Sequence, residues 1–280
     1  MNKFLIVANT EKDIDLKLSR DIVAYLKQHG ADAIVVSDME KHYDGMLIKP
    51  EYMQGVEVVI VLGGDGTMLR AAHGVGTYDV CLMGVNLGTL GFLTEIEESN
   101  VYKALDRLLA GNYDIEKRMM LDGFIGDTRF SCLNDVVIAR AGFSRIIALN
   151  IYVNHQLLDT YEADGVIVAT PTGSTGYNLS AGGPIVSPKS KAVVVTPISP
   201  HSLTSKSVVF DSSDRIRIEI VKKRRTQETE AIVSFDGIHN IPLSAGASVE
   251  VACSAREIRL VKMYDVNFYS VLREKIGGSI

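Results

Sequence analysis

Along the first third of the chain, short apolar runs alternate with stretches of helical period. "KFLIVA" (3 to 8) predicts a buried strand, and Leu18, Ile22 and Leu26 then recur at i, i+4 and i+8 before Gly30, which predicts a helix. "AIVV" (33 to 36), "VEVVIVL" (56 to 62) and "VCLMGV" (80 to 85) predict further strands, with a helix starting at Gly66 or Thr67 and another over "NVYKALDRLLAG", where Val101, Leu105 and Leu108 share a face. Strand, helix and strand at this spacing predict an α/β domain with a doubly wound, mostly parallel sheet over residues 1 to 112. From residue 113 the apolar runs become β-branched and alternating. In "DRIRIEI", Ile216, Ile218 and Ile220 fall on one face and Arg215, Arg217 and Glu219 on the other, as in a half-solvated antiparallel strand. Residues 113 to 265 therefore read as a mostly antiparallel β domain, with a hairpin turn at "VNHQ". The closing "NFYSVLREKI" has helical period, with Phe268, Val271, Leu272 and Lys275 near one face, and residues 266 to 280 are expected to return to the first domain.

Two segments are dense in residues that could do chemistry. The first is Gly63, Gly64, Asp65, Gly66 and Thr67, at the carboxyl end of a predicted strand, where ligands collect in open α/β sheets. Glycines let backbone N–H groups approach a phosphate, and a helix beginning here aims its positive end at the anion. A carboxylate beside phosphate repels it, so Asp65 makes sense if it binds a cation or accepts a proton from an attacking hydroxyl. The plain alternative is a tight turn in which Asp65 caps the helix. Arg70, one turn on, is a phosphate contact or a solvated surface arginine. The second segment, "YEADGVIVATPTGSTGYNLSAGGP" (161 to 184), crowds small and hydroxyl residues around Tyr177, which suits a nucleoside or sugar but also describes an ordinary loop.

Smaller candidates are Asn134 and Asp135 at the start of an apolar strand, as a turn cap or a grip on a ribose diol, and "SFDG" (234 to 237), most simply a turn. His201 lies near two prolines and reads as structural, and Ser174 lacks the spacing of a nucleophile elbow. A net charge of -5 with no long basic run argues against nucleic acid as a partner. Cys81, Cys132 and Cys253 lie far apart and are expected to be buried thiols in a reducing compartment. No signal segment or apolar run of membrane-spanning length is visible, so a cytoplasmic protein without a membrane partner is expected.

"GGDGT" (63 to 67), "NLGTLGFL" (86 to 93), "NDVVI" (134 to 138), "ADGVIVATPTGSTGYNLSAGGPIV" (163 to 186), "TPISPHSL" (196 to 203) and "SFDG" (234 to 237), in that order, resemble the NAD kinase family of bacterial type. That family phosphorylates the 2'-hydroxyl of the adenosine ribose of NAD to give NADP. The resemblance implies that Asp65 is the general base. It also implies that the loop of Gly63, Gly64, Gly66 and Thr67 handles donor phosphates, with Mg²⁺ held largely by those phosphates. It places Asn134 and Asp135 on ribose hydroxyls, Asp164 at the nicotinamide end, and Thr175, Gly176, Tyr177, Asn178, Leu179 and Ser180 around adenine and ribose. Phe92 packs on the adenine side, and Arg70 and Arg145 match positions where the family often has a basic residue. Asp135 stands where glutamate is frequent, Gly176 where alanine is, and Glu162 where some members carry a basic residue. The implied substrates are NAD with ATP or polyphosphate as donor, and the implied assembly is a homodimer or homotetramer. The rival readings are a lipid or sugar kinase sharing the glycine-aspartate loop and a non-catalytic dinucleotide sensor.

Overall fold

A computed structural model describes residues 3–37, 48–142, 146–202, 204–222, 231–263 and 268–276. The chain divides into two compact units, Met1–Lys117 with Ile258–Ile280, and Arg118–Glu257.

In the first unit the order is β1 (Lys3–Ala8), α1 (Lys17–Gln28), β2 (Asp32–Ser37), α2 (Pro50–Met53), β3 (Val58–Gly63), α3 (Asp65–Gly74), β4 (Cys81–Asn86), β5 (Ile96–Glu97) and α4 (Val101–Leu109). The strands pair in the order β2-β1-β3-β4, all parallel, with Phe4 opposite both Ala33 and Val58 and with Val58 opposite Cys81. β3 and β4 are buried along their whole length, which is why they read as unbroken apolar runs. Ile22 and Leu26 of α1 and Val101, Leu105 and Leu108 of α4 pack into the same core as Phe4, Ile6, Ile60 and Val85. Asp13 closes the start of α1, accepting the N–H groups of Leu18 (2.9 Å) and Ser19 (3.0 Å).

The strand order matters for the site. β1 and β3 are neighbours, yet the chain leaves β1 toward β2 on one side and β3 toward β4 on the other. Loops leaving the carboxyl ends of such a strand pair diverge and open a crevice, the usual ligand position in a doubly wound sheet.

The second unit is built from β6 (Asp114–Ile125), β7 (Thr128–Cys132), β8 (Asp135–Arg140), β9 (Ile147–Val153), β10 (Gln156–Ala163), β11 (Gly165–Ala169), a 3-10 turn and the one-turn α5 (Tyr177–Ser180), β12 (Ala192–Ile198), β13 (Val208–Asp211), β14 (Ile216–Ile220), β15 (Ala231–Phe235), β16 (His239–Leu243) and β17 (Ser248–Lys262). One antiparallel sheet runs β13-β12-β11-β8-β15-β16, and β10-β9-β14-β17 form a second antiparallel path. Their inner faces share one core, with Ile147, Leu149, Ile151, Ile216 and Ile218 meeting Val136, Ile138, Val166, Val168 and Phe235. Ile216, Ile218 and Ile220 all point inward, as their alternation predicts. The two-residue turn at Asn154 (φ 48) and His155 (φ 70) is the twist-matched hairpin turn that needs two positive φ values.

After β17 the chain ends in α6 (Phe268–Ile276), which belongs to the first unit and sets Phe268 against Phe92, ring centroids 5.7 Å apart. The units change over inside β6 and β17, whereas the sequence reading put the change of character at 112/113 and 265/266. Cys81 and Cys132 are buried, but Cys253 is exposed, contrary to expectation. The inward alternation of Val249 and Val251 breaks after Ala252 in the long β17, which turns Cys253 outward. Among the described residues no helix is long and apolar enough to cross a membrane.

Candidate active site

The glycine-aspartate loop joins β3 to α3. The helix starts at Asp65, with Gly64 as its cap position, one to two residues earlier than the sequence suggested, and no side-chain capping bond is made. The capping alternative for Asp65 therefore fails. Its carboxylate instead reaches the segment after β4, accepting the N–H of Phe92 at 2.9 Å, the N–H of Leu93 at 3.0 Å and the Thr94 hydroxyl at 3.4 Å. This close wrap explains a glycine in "NLGTLGFL": a Cβ on Gly91 would collide with Asp65 Oδ1. A carboxylate offers about four acceptor positions, so three donors leave it room for one more. Asp65 is only half-buried, so its carboxylate is not sealed from a ligand.

Thr67, buried, turns its hydroxyl back toward the loop, and a Cβ on Gly63 would press on Thr67 Cβ at 2.6 Å. The Thr67 hydroxyl accepts from Asn9 Nδ2 at 3.1 Å and Arg70 Nη2 at 3.4 Å. Arg70 is thus folded onto the loop rather than spread on the helix surface. Phe92 lies between Phe268 and Lys275, whose Nζ is 5.3 Å from its ring centroid.

In the second unit, Asn134 and Asp135 open β8 and sit beside the end of β11. Thr170 stitches the two together: its N–H donates to the Asn134 carbonyl at 2.8 Å and its hydroxyl to the Leu133 carbonyl at 2.6 Å. A Cβ on Gly173 would run into the Asn134 carbonyl, so the glycine is a packing requirement. From the other side, Asp236 accepts three consecutive backbone N–H groups, of Leu133 (2.6 Å), Asn134 (2.7 Å) and Asp135 (3.0 Å). Asp236 has φ 51, a conformation that aspartate tolerates better than most residues. Asn134, Asp135, Val137, Tyr177, Ser234, Asp236 and Gly237 line a cavity of about 360 Å³. Burial, with the Asp236 carboxylate adding, pushes Asp135 up to about 7.

The remaining candidates are placed as follows. Tyr177 is exposed at the cavity mouth, and Gly176 backs it: a Cβ there would stand 3.8 Å from Asn134 Nδ2. The Thr175 hydroxyl donates to the Thr172 carbonyl at 3.2 Å. Leu179 is half-buried and Ser180 exposed. Asn178 is fully buried, with its amide donating to the Ser174 and Pro184 carbonyls at 3.0 Å and its oxygen accepting from Thr196 at 2.7 Å. Its polar atoms are committed to holding the turn. Asp164 pairs with Arg140 at 2.8 Å and lies at the opposite end of β11 from the Thr170 turn, roughly 20 Å away at strand rise. Glu162 is exposed on β10. Arg145 lies outside the described residues.

Residues 4–113 match the family model of the ATP-NAD kinase N-terminal domain and residues 133–263 that of the ATP-NAD kinase C-terminal domain. The chain belongs to the NAD kinase family. Curated NAD kinases are similar over nearly their full length. That of Agathobacter rectalis is 44% identical and that of Lachnoclostridium phytofermentans 42%, each alignment covering 99% of both chains. Among solved structures, yeast NADH kinase complexed with NADH superposes with a TM-score of 0.84 at 25% identity, covering 100% of this chain and 89% of that one. An NAD kinase from Archaeoglobus fulgidus in complex with ATP shares the fold, with a TM-score of 0.76, 23% identity and coverage of 97% and 98%.

Against this NAD kinase frame, two residues near the loops carry no signal in the sequence and a third is read there only as a turn. Asn9 and Lys12 sit in a turn after β1 that has no motif of its own, and Asp236 reads as a turn residue because its three partners lie about 100 positions away. Arg118, 3% exposed and donating to the Thr172 hydroxyl at 3.2 Å, was also unmarked, since a lone arginine in a strand pattern carries no signal of burial.

Proposed function

We propose that this chain transfers a phosphoryl group from ATP to the 2'-hydroxyl of the adenosine ribose of NAD, with Asp65 as general base. The observation that carries this is the Asp65 carboxylate, clasped by the 92–94 segment at the head of α3 among glycines and left with an acceptor position to spare. An alcohol is far less acidic than a carboxylic acid, so Asp65 does not strip the proton in advance. Phosphoryl transfer is loose, and Asp65 first orients the hydroxyl, then takes its proton as the bond to phosphorus forms. The loop amides of Gly64, Gly66 and Thr67 and the positive end of α3 favour the donor's charge, so most acceleration comes from alignment and electrostatics.

In the second unit, Asn134 and Asp135 hold ribose hydroxyls, with Thr175, Gly176, Tyr177, Leu179 and Ser180 around the adenosine side. Asn178 keeps that wall in place, and Asp164 meets the nicotinamide end. Two polar stations at opposite ends of β11 suit a long, two-ended ligand such as a dinucleotide. Phe92 and Arg70 serve the acceptor and phosphate sides of the loop.

A divalent ion fits as a partner of the donor rather than of a protein cage. Among the described residues no group of three or more His, Cys, Asp or Glu could hold one, while Asn86 Oδ1 is buried without a partner and can accept from an ion's water shell. When bound, Mg²⁺ neutralises phosphate charge. Linear polyphosphate presents the same oxygens and is a second donor to assay. We further propose a cytoplasmic homodimer or homotetramer.

The deciding experiment is NADP formation from NAD, Mg²⁺ and either donor, with Asp65→Asn alongside. Wild type should turn over, and the variant should lose kcat by roughly 10² to 10⁴ with NAD affinity by calorimetry little changed. Equal turnover in the two proteins would remove the base assignment.

A further inference from the structure

We infer that Lys12 is a donor-phosphate contact of this kinase, a residue that touches the terminal phosphates of ATP or polyphosphate. The inference rests on the kinase reading above and adds a cation to a loop whose sequence motif has none.

Lys12 lies in the turn after β1, and Asn9 builds that turn. Its carbonyl accepts the N–H groups of Lys12 (3.1 Å) and Asp13 (2.8 Å), and its side-chain oxygen accepts that of Glu11 (3.0 Å). The same Asn9 side chain donates through Nδ2 to Thr67 at 3.1 Å, which ties the turn to the first turn of α3. Asn9 thus fixes the lysine-bearing loop relative to the glycine-aspartate loop. The two loops leave β1 and β3, the neighbouring strands where the order β2-β1-β3-β4 reverses.

The ammonium group itself lies over the glycines. A Cβ built on Gly64 would stand 3.5 Å from Lys12 Nζ, and one on Gly88, after β4, 3.1 Å. So the cation is in contact range of two glycine backbones from separate loops, at the end of a ten-residue helix whose positive pole faces the same way. No hydrogen bond or ion pair of the Lys12 side chain is made within the described residues, so its ammonium is available to a ligand. A lysine ammonium and a helix start beside bare glycine backbone, with the nearby Asp65 carboxylate held by the N–H groups of Phe92 and Leu93, describe a place for a phosphate chain. Lysine suits that task as a compact point charge on a flexible stem, able to follow a phosphate through transfer.

Lys12 is exposed, so its replacement should not disturb folding. The test is steady-state kinetics of Lys12→Met and Lys12→Arg with ATP and with linear polyphosphate, together with calorimetric affinity for a non-hydrolysable ATP analogue. Lys12→Met should raise the KM of whichever donor the wild type uses, and weaken the analogue, by about 10- to 100-fold, the scale of a charge-assisted hydrogen bond. The KM for NAD should stay within about twofold, and Lys12→Arg should recover most of the loss. An unchanged donor KM in an otherwise active Lys12→Met enzyme would overturn the assignment and leave the kinase standing. A rise in the NAD KM alone would overturn it too, by moving Lys12 to the acceptor. A wild type that makes no NADP with either donor would instead sink the kinase reading.

Discussion

Asp65 in the first unit and Asp236 in the second both reach across to backbone N–H groups remote in sequence, 27 and 28 positions away for one and 101 to 103 for the other. Asp65 takes two N–H groups and one long hydroxyl contact at the start of a helix, and keeps an acceptor position for a ligand. Asp236 takes three consecutive N–H groups from the segment that carries Asn134 and Asp135. Its charge then falls on a neighbour, because buried Asp135 cannot easily ionise beside it and is held near 7. The same clasp makes an instrument of one carboxylate and a frame of the other. What separates them is spare hydrogen-bonding capacity and the company each keeps.

The largest expected effect comes from making one substitution at both places. In Asp65→Asn and in Asp236→Asn an acceptor oxygen becomes an NH₂ group facing an N–H, so each variant should lose about 1–3 kcal/mol of stability in urea unfolding. Only Asp65→Asn should also lose the roughly 10² to 10⁴ in kcat, since only there does the proposed reaction ask the carboxylate to accept a substrate proton. A comparable collapse of kcat in Asp236→Asn would break the comparison and give Asp236 a part in the chemistry.

A second, smaller effect is readable in pH. If Asp135 holds ribose hydroxyls as proposed, its ionised form accepts them more strongly, so NAD affinity should rise with pH, by up to about tenfold from pH 6 to 8 for a group titrating near 7. Stability runs the other way. The folded pKa exceeds the unfolded one, so the folded state binds more protons between about 4 and 7, and this contribution is present at low pH and lost as pH rises through 7. Asp236→Asn removes the neighbouring charge, and the NAD-affinity inflection should move to lower pH. Calorimetric titration of NAD across that range checks it; an inflection that does not move would leave burial as the sole cause of the raised value.

Local physics made much of this legible in the sequence. β3 and β4 announced themselves because both faces are buried, and Ile216, Ile218 and Ile220 because only one is. The glycine-aspartate loop was visible as a strand ending in residues that only a close backbone approach requires. What stayed hidden depends on partners distant along the chain. Nothing near Asp236 tells of Leu133, nothing near Asp65 tells of Gly91, and Asn9 and Lys12 become meaningful only when β1 and β3 are set side by side. Asn178 shows the opposite case. Its place in a hydroxyl-rich run suggested a ligand contact, while the fold uses all of its amide to hold that run in shape.

The smallest effect sharpens the same contrast. A Cβ on Gly176 would lie 3.3 Å from the Gly173 carbonyl oxygen, 3.8 Å from Asn134 Nδ2 and 4.0 Å from Asp135 Oδ2. The first contact is tight and needs a small shift of the turn. The other two are ordinary contacts that bring one methyl against Asn134 and Asp135, the pair proposed to hold ribose. Gly176→Ala should therefore change the NAD KM by no more than about threefold, with stability moving by about 1 kcal/mol or less as reduced unfolded-state freedom offsets the tight contact. The added methyl removes water from beside Asp135, so the NAD-affinity inflection should drift to higher pH, opposite to its shift in Asp236→Asn. The donor KM and kcat should not move, because the methyl touches only groups that frame the acceptor. A loss of kcat without a change in NAD binding would mean that the wall at Gly176 governs alignment with Asp65, and the division between frame and instrument would have to be redrawn.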